Sequence, residues 1–179
     1  CDLYQNETLR NLPCKRVQVD EIWSFIGMKD KMVPPNRRGE FGVGDVYTWV
    51  AIDADPKLVP TWLVGQRSTQ YARVFIEDLA GRMANRIQLS SDGHRAYLTA
   101  VERSFAGDID FAQLVKLYGP PGGGDDERRH SSGECCGTAK TPICGDPDEK
   151  PISTRSNQRQ NLPTRTTRRR PTRLTNRLS

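Results

Sequence analysis

The sequence contains no run of about 18 consecutive apolar residues, so nothing in it qualifies as a membrane-spanning helix. It has no signal-peptide pattern either, and the expected compartment is the cytoplasm. Its five cysteines (Cys1, Cys14, Cys135, Cys136 and Cys144) are odd in number and show no Cys-x-x-Cys spacing. That excludes a fully paired disulfide framework and a standard zinc ribbon, and predicts reduced thiols. Acidic residues are missing from Pro151 to Ser179, where eight arginines stand: Arg155, Arg159, Arg165, Arg168, Arg169, Arg170, Arg173 and Arg177. The net charge of +5 therefore resides in this segment, which suits a polyanion such as nucleic acid or is simply a solvated basic tail. Apolar residues make up only 35 % of the chain and concentrate before Tyr118, so the globular unit is expected to be shorter than the sequence.

What is present is organised around residues 17–28, VQVDEIWSFIGM. Alternation places Val17, Val19, Glu21, Trp23 and Phe25 on one face and Gln18, Asp20, Ile22, Ser24 and Ile26 on the other. Apolar groups on both faces predict a central strand covered on both sides. An ionised Asp20 or Glu21 inside such a strand needs a partner, because burying a lone charge costs several kcal/mol. A cation satisfies this need; so does a strand-end position with solvent or an arginine nearby.

Further along, Pro34, Pro35, Arg37, Arg38 and Gly39 form a turn-rich basic loop. Residues 47–53 and 58–64 read as a hairpin whose second strand lies at an edge, since Pro60 lacks a backbone donor. Tyr71, Phe75, Leu79 and Met83 recur every four residues and predict a helix over 69–85 capped by Ser68 or Thr69. Residues 87–91 read as a strand, 94–105 as a helix and 111–118 as a strand. The order β-β-β-α-β-α-β predicts a mixed α/β sheet with helices on its faces. Residues 1–15 read as a polar connector and 16–118 as the folded core. Residues 119–150 read as a Gly/Pro-rich loop unable to fold alone, and 151–179 as an Arg-rich segment with little autonomous structure.

Asp92, in Ser90-Ser91-Asp92-Gly93-His94, ends the fourth strand, where α/β folds place ligands. If that strand flanks the first, Asp20 and Asp92 meet across a divalent cation, and hard oxygen donors select magnesium or manganese. The local alternative for Asp92 is a turn and helix cap. For His94 it is capping rather than orienting a phosphate.

The stretches VDEIWSF, GDVYTWVAIDAD, TWLVG, ANRIQLSSDGHRAYLTAVE and QLVKLYG closely resemble the catalytic domain of insertion-sequence-one-type bacterial transposases, DDE enzymes of RNase H-like fold. The resemblance is continuous from about Pro13 to Tyr118, with shorter matches beyond. It implies two magnesium or manganese ions held by two Asp and one Glu, and metal-dependent DNA cleavage and strand transfer. Asp20 matches the first acid and Asp92 the second. The third position, immediately before Arg159-Gln160-Asn161, is Gln158 here, an uncharged ligand that weakens metal binding, and Pro163 interrupts a helix about a turn later. Against the family's pattern, which has an N-terminal DNA-binding module that this sequence lacks, the expectation is a truncated or decayed copy with reduced activity. The expected catalytic positions are Asp20, Asp92 and Gln158. Expected DNA contacts are Arg37, Arg38, Arg159, Arg168, Arg169, Arg170 and Arg173. DNA at element ends and target is the expected partner, in a bacterial, nucleoid-associated setting, with homo-oligomerisation left open. A catalytically inactive DNA-binding remnant and an RNase H-like nuclease are the alternatives.

Overall fold

The computed structural model describes residues 2–118 and 135–148. Six strands form one mixed sheet in the order β3-β2-β1-β4-β5-β6. The strands are β1 (Arg16–Ile26), β2 (Gly44–Asp53), β3 (Trp62–Gly65), β4 (Gln88–Asp92), β5 (Asp110–Tyr118) and β6 (Cys135–Cys144), and the helices are α1 (Asp2–Thr8), α2 (Thr69–Ala80) and α3 (Ala96–Phe105). β1 pairs antiparallel with β2 from Val17↔Asp53 to Ile26↔Gly44, and parallel with β4 only from Arg16↔Gln88 to Gln18↔Ser90. β4 and β5 are parallel, whereas β5 and β6 are antiparallel. Among the described residues no helix is long and apolar enough to cross a membrane.

The core lies on the sheet face defined by Val17, Val19, Trp49, Ala51, Leu89 and Phe111, where Ala72, Phe75, Ile76 and Leu79 of α2 and Tyr97, Ala100 and Val101 of α3 pack. Helical spacing brings each set onto one stripe, and burial of each large side chain contributes roughly 1.5–3 kcal/mol. The Ser68 side chain caps α2 by accepting from the Tyr71 N–H, and α2 ends at Ala80, earlier than the apolar spacing suggested. β3 is an edge strand that begins only after Pro60.

Three expectations change. β1 is covered on both sides only at its start: Val17, Gln18 and Val19 are buried, whereas Ile22, Trp23, Phe25 and Ile26 are exposed. The pairing with β4 stops after Gln18, and past Trp23, where the β2–β3 ladder has also ended, β1 and β2 project as a two-stranded arm. Part of the stretch assigned to a Gly/Pro-rich loop is β6, an edge strand held by the backbone ladder to β5. Its side chains are mostly exposed, so it carries no apolar signature, and Pro142 sits beside an irregularity in register. The polar connector contains α1, which docks through Arg82. Only 4 % exposed, Arg82 donates from Nε to Asp78 (2.7 Å), from Nη1 to the carbonyls of Gln5 and Leu9 (3.1 Å each) and from Nη2 to Asn6. Burial alone would raise the Asp78 pKa, but hydrogen bonds from Arg82 and Thr61 more than offset it and hold the carboxyl below its ordinary range.

The far end of the arm is closed by a reciprocal pair. Asp30 Oδ1 accepts from the Asp45 N–H (2.8 Å) and Asp45 Oδ1 from the Asp30 N–H (3.1 Å). Between them Gly44 adopts φ +115°, and a Cβ there would overlap the Asp30 carboxylate. Only glycine meets both conditions.

Candidate metal centre

The site forms where β1 and β4 part. Asp20 and Asp92 stand two residues past the last paired positions, Gln18 and Ser90, so they share the register level and the sheet face. Glu21, the next residue on β1, starts from the opposite face, yet the gap between the strands lets its carboxylate reach the same spot. One carboxylate oxygen from each of Asp20, Glu21 and Asp92 lies within 4.8 Å of the others.

Backbone contacts fix two of the acids. Asp20 Oδ1 accepts from the Glu21 N–H (2.9 Å) and Asp92 Oδ1 from the His94 N–H (2.9 Å). The second contact is an Asx turn leading into α3, so the local turn expected of Asp92 exists and also orients its carboxylate. The Glu21 side chain is 2 % exposed, with Arg67 Nε at 3.5 Å and His94 Nε2 at 3.6 Å from Oε1. Arg67 Nη2 also lies 3.7 Å from Asp92 Oδ2. Glu21 Oε1, His94 Nε2 and Tyr97 OH are buried without a hydrogen-bond partner among the described residues.

The charges follow from this geometry. Burial, then the neighbouring Asp92 charge, with a smaller contribution from Asp20, pushes Glu21 up to about 7 against the opposing pull of Arg67. Burial lowers the His94 pKa, with Arg67 adding to the effect, so a neutral imidazole faces the acids. Burial also raises Tyr97 well above the ordinary tyrosine value, and the three acids reinforce this. The His94 ring packs against Trp49 and Tyr97, with centroids 6.0 and 5.9 Å apart. Its side chain does not cap α3, whose N-cap residue is Arg95.

Arg67 pairs with Glu21 and Asp92 at 3.5 and 3.7 Å, too long for hydrogen bonds, and an acceptor oxygen as buried as Glu21 Oε1 costs free energy unless it is coordinated. The residues present fit a divalent cation, and an all-oxygen set favours magnesium or manganese. Asp20, Glu21 and Asp92 would hold it.

Of the other expected residues, Arg37 is half-buried and forks onto Glu40 (2.6 and 3.2 Å), which raises its pKa and compensates its charge locally. Arg38 lines a cleft of about 840 Å³ together with Tyr47, Arg67, Tyr71 and the glycine-rich loop. Gln158, Arg159, Arg168, Arg169, Arg170 and Arg173 lie outside the described residues. Sequence reasoning marked the Asp20-Glu21 pair as one that a cation could satisfy, but kept Glu21 out of the expected catalytic set of Asp20, Asp92 and Gln158. It missed Arg67, which arrives from the loop between β3 and α2 and has no local signal. No protein-family profile and no curated protein matches the chain.

Proposed function

We propose that this chain is the catalytic part of an insertion-sequence-one-type DDE transposase with an RNase H-like core, acting on DNA phosphodiester bonds with magnesium or manganese. The observation that carries the reading is the convergence of Asp20, Glu21 and Asp92 within 4.8 Å at the point where two parallel strands part. The sheet order, with β1 central and β2 antiparallel to it, supports the RNase H-like assignment. Asp20 and Asp92 match the resemblance, and Glu21 supplies a third carboxylate where the matched third position holds Gln158.

In this reading the chain's own residues bind and orient. Asp20 and Asp92 present oxygens from neighbouring strands, and their backbone contacts limit side-chain rotation before any ligand arrives. A bound divalent ion supplies Lewis-acid polarisation and charge neutralisation at the phosphodiester. Arg67, partly exposed beside the acids and lining the adjacent cleft, would offer its guanidinium to a bound phosphate. Cleavage exchanges one P–O bond for another. Water attacks phosphorus and the DNA 3′ oxygen leaves as a hydroxyl; in strand transfer that hydroxyl attacks a target phosphodiester, loses its proton and displaces the target strand's 3′ oxygen, which leaves as a hydroxyl.

One observation favours the second reading, a DNA-binding remnant without catalysis: Arg67 pairs with Glu21 and Asp92 and compensates part of their charge without any metal. Nicking of supercoiled plasmid separates the two. The proposal expects slow, magnesium- or manganese-dependent nicking that disappears in Asp20→Asn and Asp92→Asn and rises in Gln158→Glu. Absence of metal-dependent nicking from both the unaltered chain and Gln158→Glu would support the remnant. Preference for RNA–DNA hybrid over duplex DNA would instead assign an RNase H-like nuclease.

A further inference from the structure

Beyond the acid cluster, β1 continues on the Glu21 face, opposite to the face from which Asp20 and Asp92 start, as Trp23 and Phe25, which are 43 % and 46 % exposed. At about 3.4 Å per strand residue, Trp23 stands about 7 Å past Glu21 and Phe25 about 7 Å farther on. Their ring centroids are 5.8 Å apart with planes tilted by 39°. Lys29 Nζ lies 5.2 Å from the Trp23 centroid and 5.7 Å from that of Phe25. Across the ladder Trp23 faces Tyr47, which lines the cleft shared with Arg38 and Arg67. Large exposed aromatic surface next to a buried core is costly and marks an interaction site.

We propose that Trp23 and Phe25 form a stacking platform for unpaired bases of a DNA strand running past the acid cluster. The proposal rests on the function proposed above. Flat π faces stack on bases of any sequence, while Lys29, Arg38 and Arg67 supply charge to the phosphates on either side. This pairing of rings with cations is what favours a nucleic-acid strand over an apolar protein face. The platform holds a melted strand end in line with Asp20, Glu21 and Asp92, so it positions DNA and takes no part in the chemistry.

The test uses the full chain in EDTA, with fluorescein-labelled duplex DNA that is either blunt or carries about ten unpaired thymines at one end. Trp23→Ala and Phe25→Ala should each weaken binding of the overhang duplex by about 5- to 50-fold while changing the blunt duplex by less than about 2-fold. Trp23→Phe keeps a ring and should retain most of the affinity. Phe25→Leu keeps the apolar volume without the π face and should not. Equal losses on both duplexes, or full affinity in Phe25→Leu, would overturn the platform. Tighter binding of an RNA strand of the same sequence would overturn the assignment to DNA. So would loss of self-association in sedimentation without loss of DNA affinity, which would make the patch an interface between copies. Because binding is read without metal, failure here leaves the nicking result to judge the acid cluster separately.

Discussion

Asp20 and Asp92 occupy equivalent positions on two parallel strands, each two residues beyond the last paired couple, Gln18 and Ser90. The end of the ladder brings them together: the strands separate, the side chains lean into the gap, and Glu21 enters it from the other face. A cation placed there meets three carboxylates that are already positioned, two of them fixed by backbone N–H groups.

Arg67 competes with that cation. Its guanidinium is 41 % exposed, so its attraction to Glu21 and Asp92 is screened and worth no more than about 1 kcal/mol. Arg67→Met should therefore tighten manganese binding up to about 5-fold in calorimetric titration. Weaker binding in the variant would mean that Arg67 supports the site rather than competing for it.

Glu21 makes stability depend on pH. Below its ordinary value of 4.5 the carboxyl is protonated in the folded and unfolded chain alike, so it costs nothing. As pH rises from 4.5 to about 7 the unfolded chain releases the proton and the folded chain keeps it, so metal-free stability falls. Above about 7 the whole penalty is present. Thermal melts of the metal-free protein should show this decline, and Glu21→Gln should flatten it. Manganese should raise Tm more at pH 8 than at pH 5. A manganese effect independent of pH would exclude Glu21 from the ligand set.

Arg82 anchors α1 against α2. Arg82→Ala removes one of the two side-chain donors to Asp78 and the side-chain donor to the carbonyls of Gln5 and Leu9. The expected cost is about 3 kcal/mol, or roughly 6 to 12 °C in Tm. Arg82→Lys should recover only part, since an ammonium lacks the fork that spans these acceptors. A loss near zero would show that the docking of α1 adds nothing to stability.

Residues 151–179 carry eight arginines and no acid. Deleting them should flatten the dependence of DNA affinity on salt by roughly 0.9 in logarithmic slope for each phosphate that the arginines no longer neutralise, with little change in sequence preference. An unchanged slope would assign phosphate binding to the cleft around Arg38 and Arg67.

Much of this architecture was legible because local and long-range signals agreed. The four-residue apolar spacing of α2 and the edge character conferred by Pro60 led to the observed helix and edge strand. The strand order brought Asp20 to Asp92 across 72 residues of sequence. The convergence of Glu21 with Asp20 and Asp92 was not legible, because alternation sends it to the opposite face and only the parting of β1 from β4 lets it return. The second half of β1 alternates apolar residues just as the first half does, so nothing in its pattern distinguishes a projecting arm from a covered strand. β6 stayed hidden because backbone pairing holds it, and backbone pairing leaves no apolar pattern.

Manganese titration followed by electron paramagnetic resonance tests the central claim most directly, since free ion gives a signal that binding removes, whatever the catalytic rate. The account predicts that the unaltered chain depletes free manganese, that Asp92→Asn and Asp20→Asn weaken binding by at least about 10-fold, and that Glu21→Gln weakens it measurably, as expected when a charged ligand is removed from a hard-cation site. Equal depletion by the unaltered chain and Asp92→Asn would contradict it.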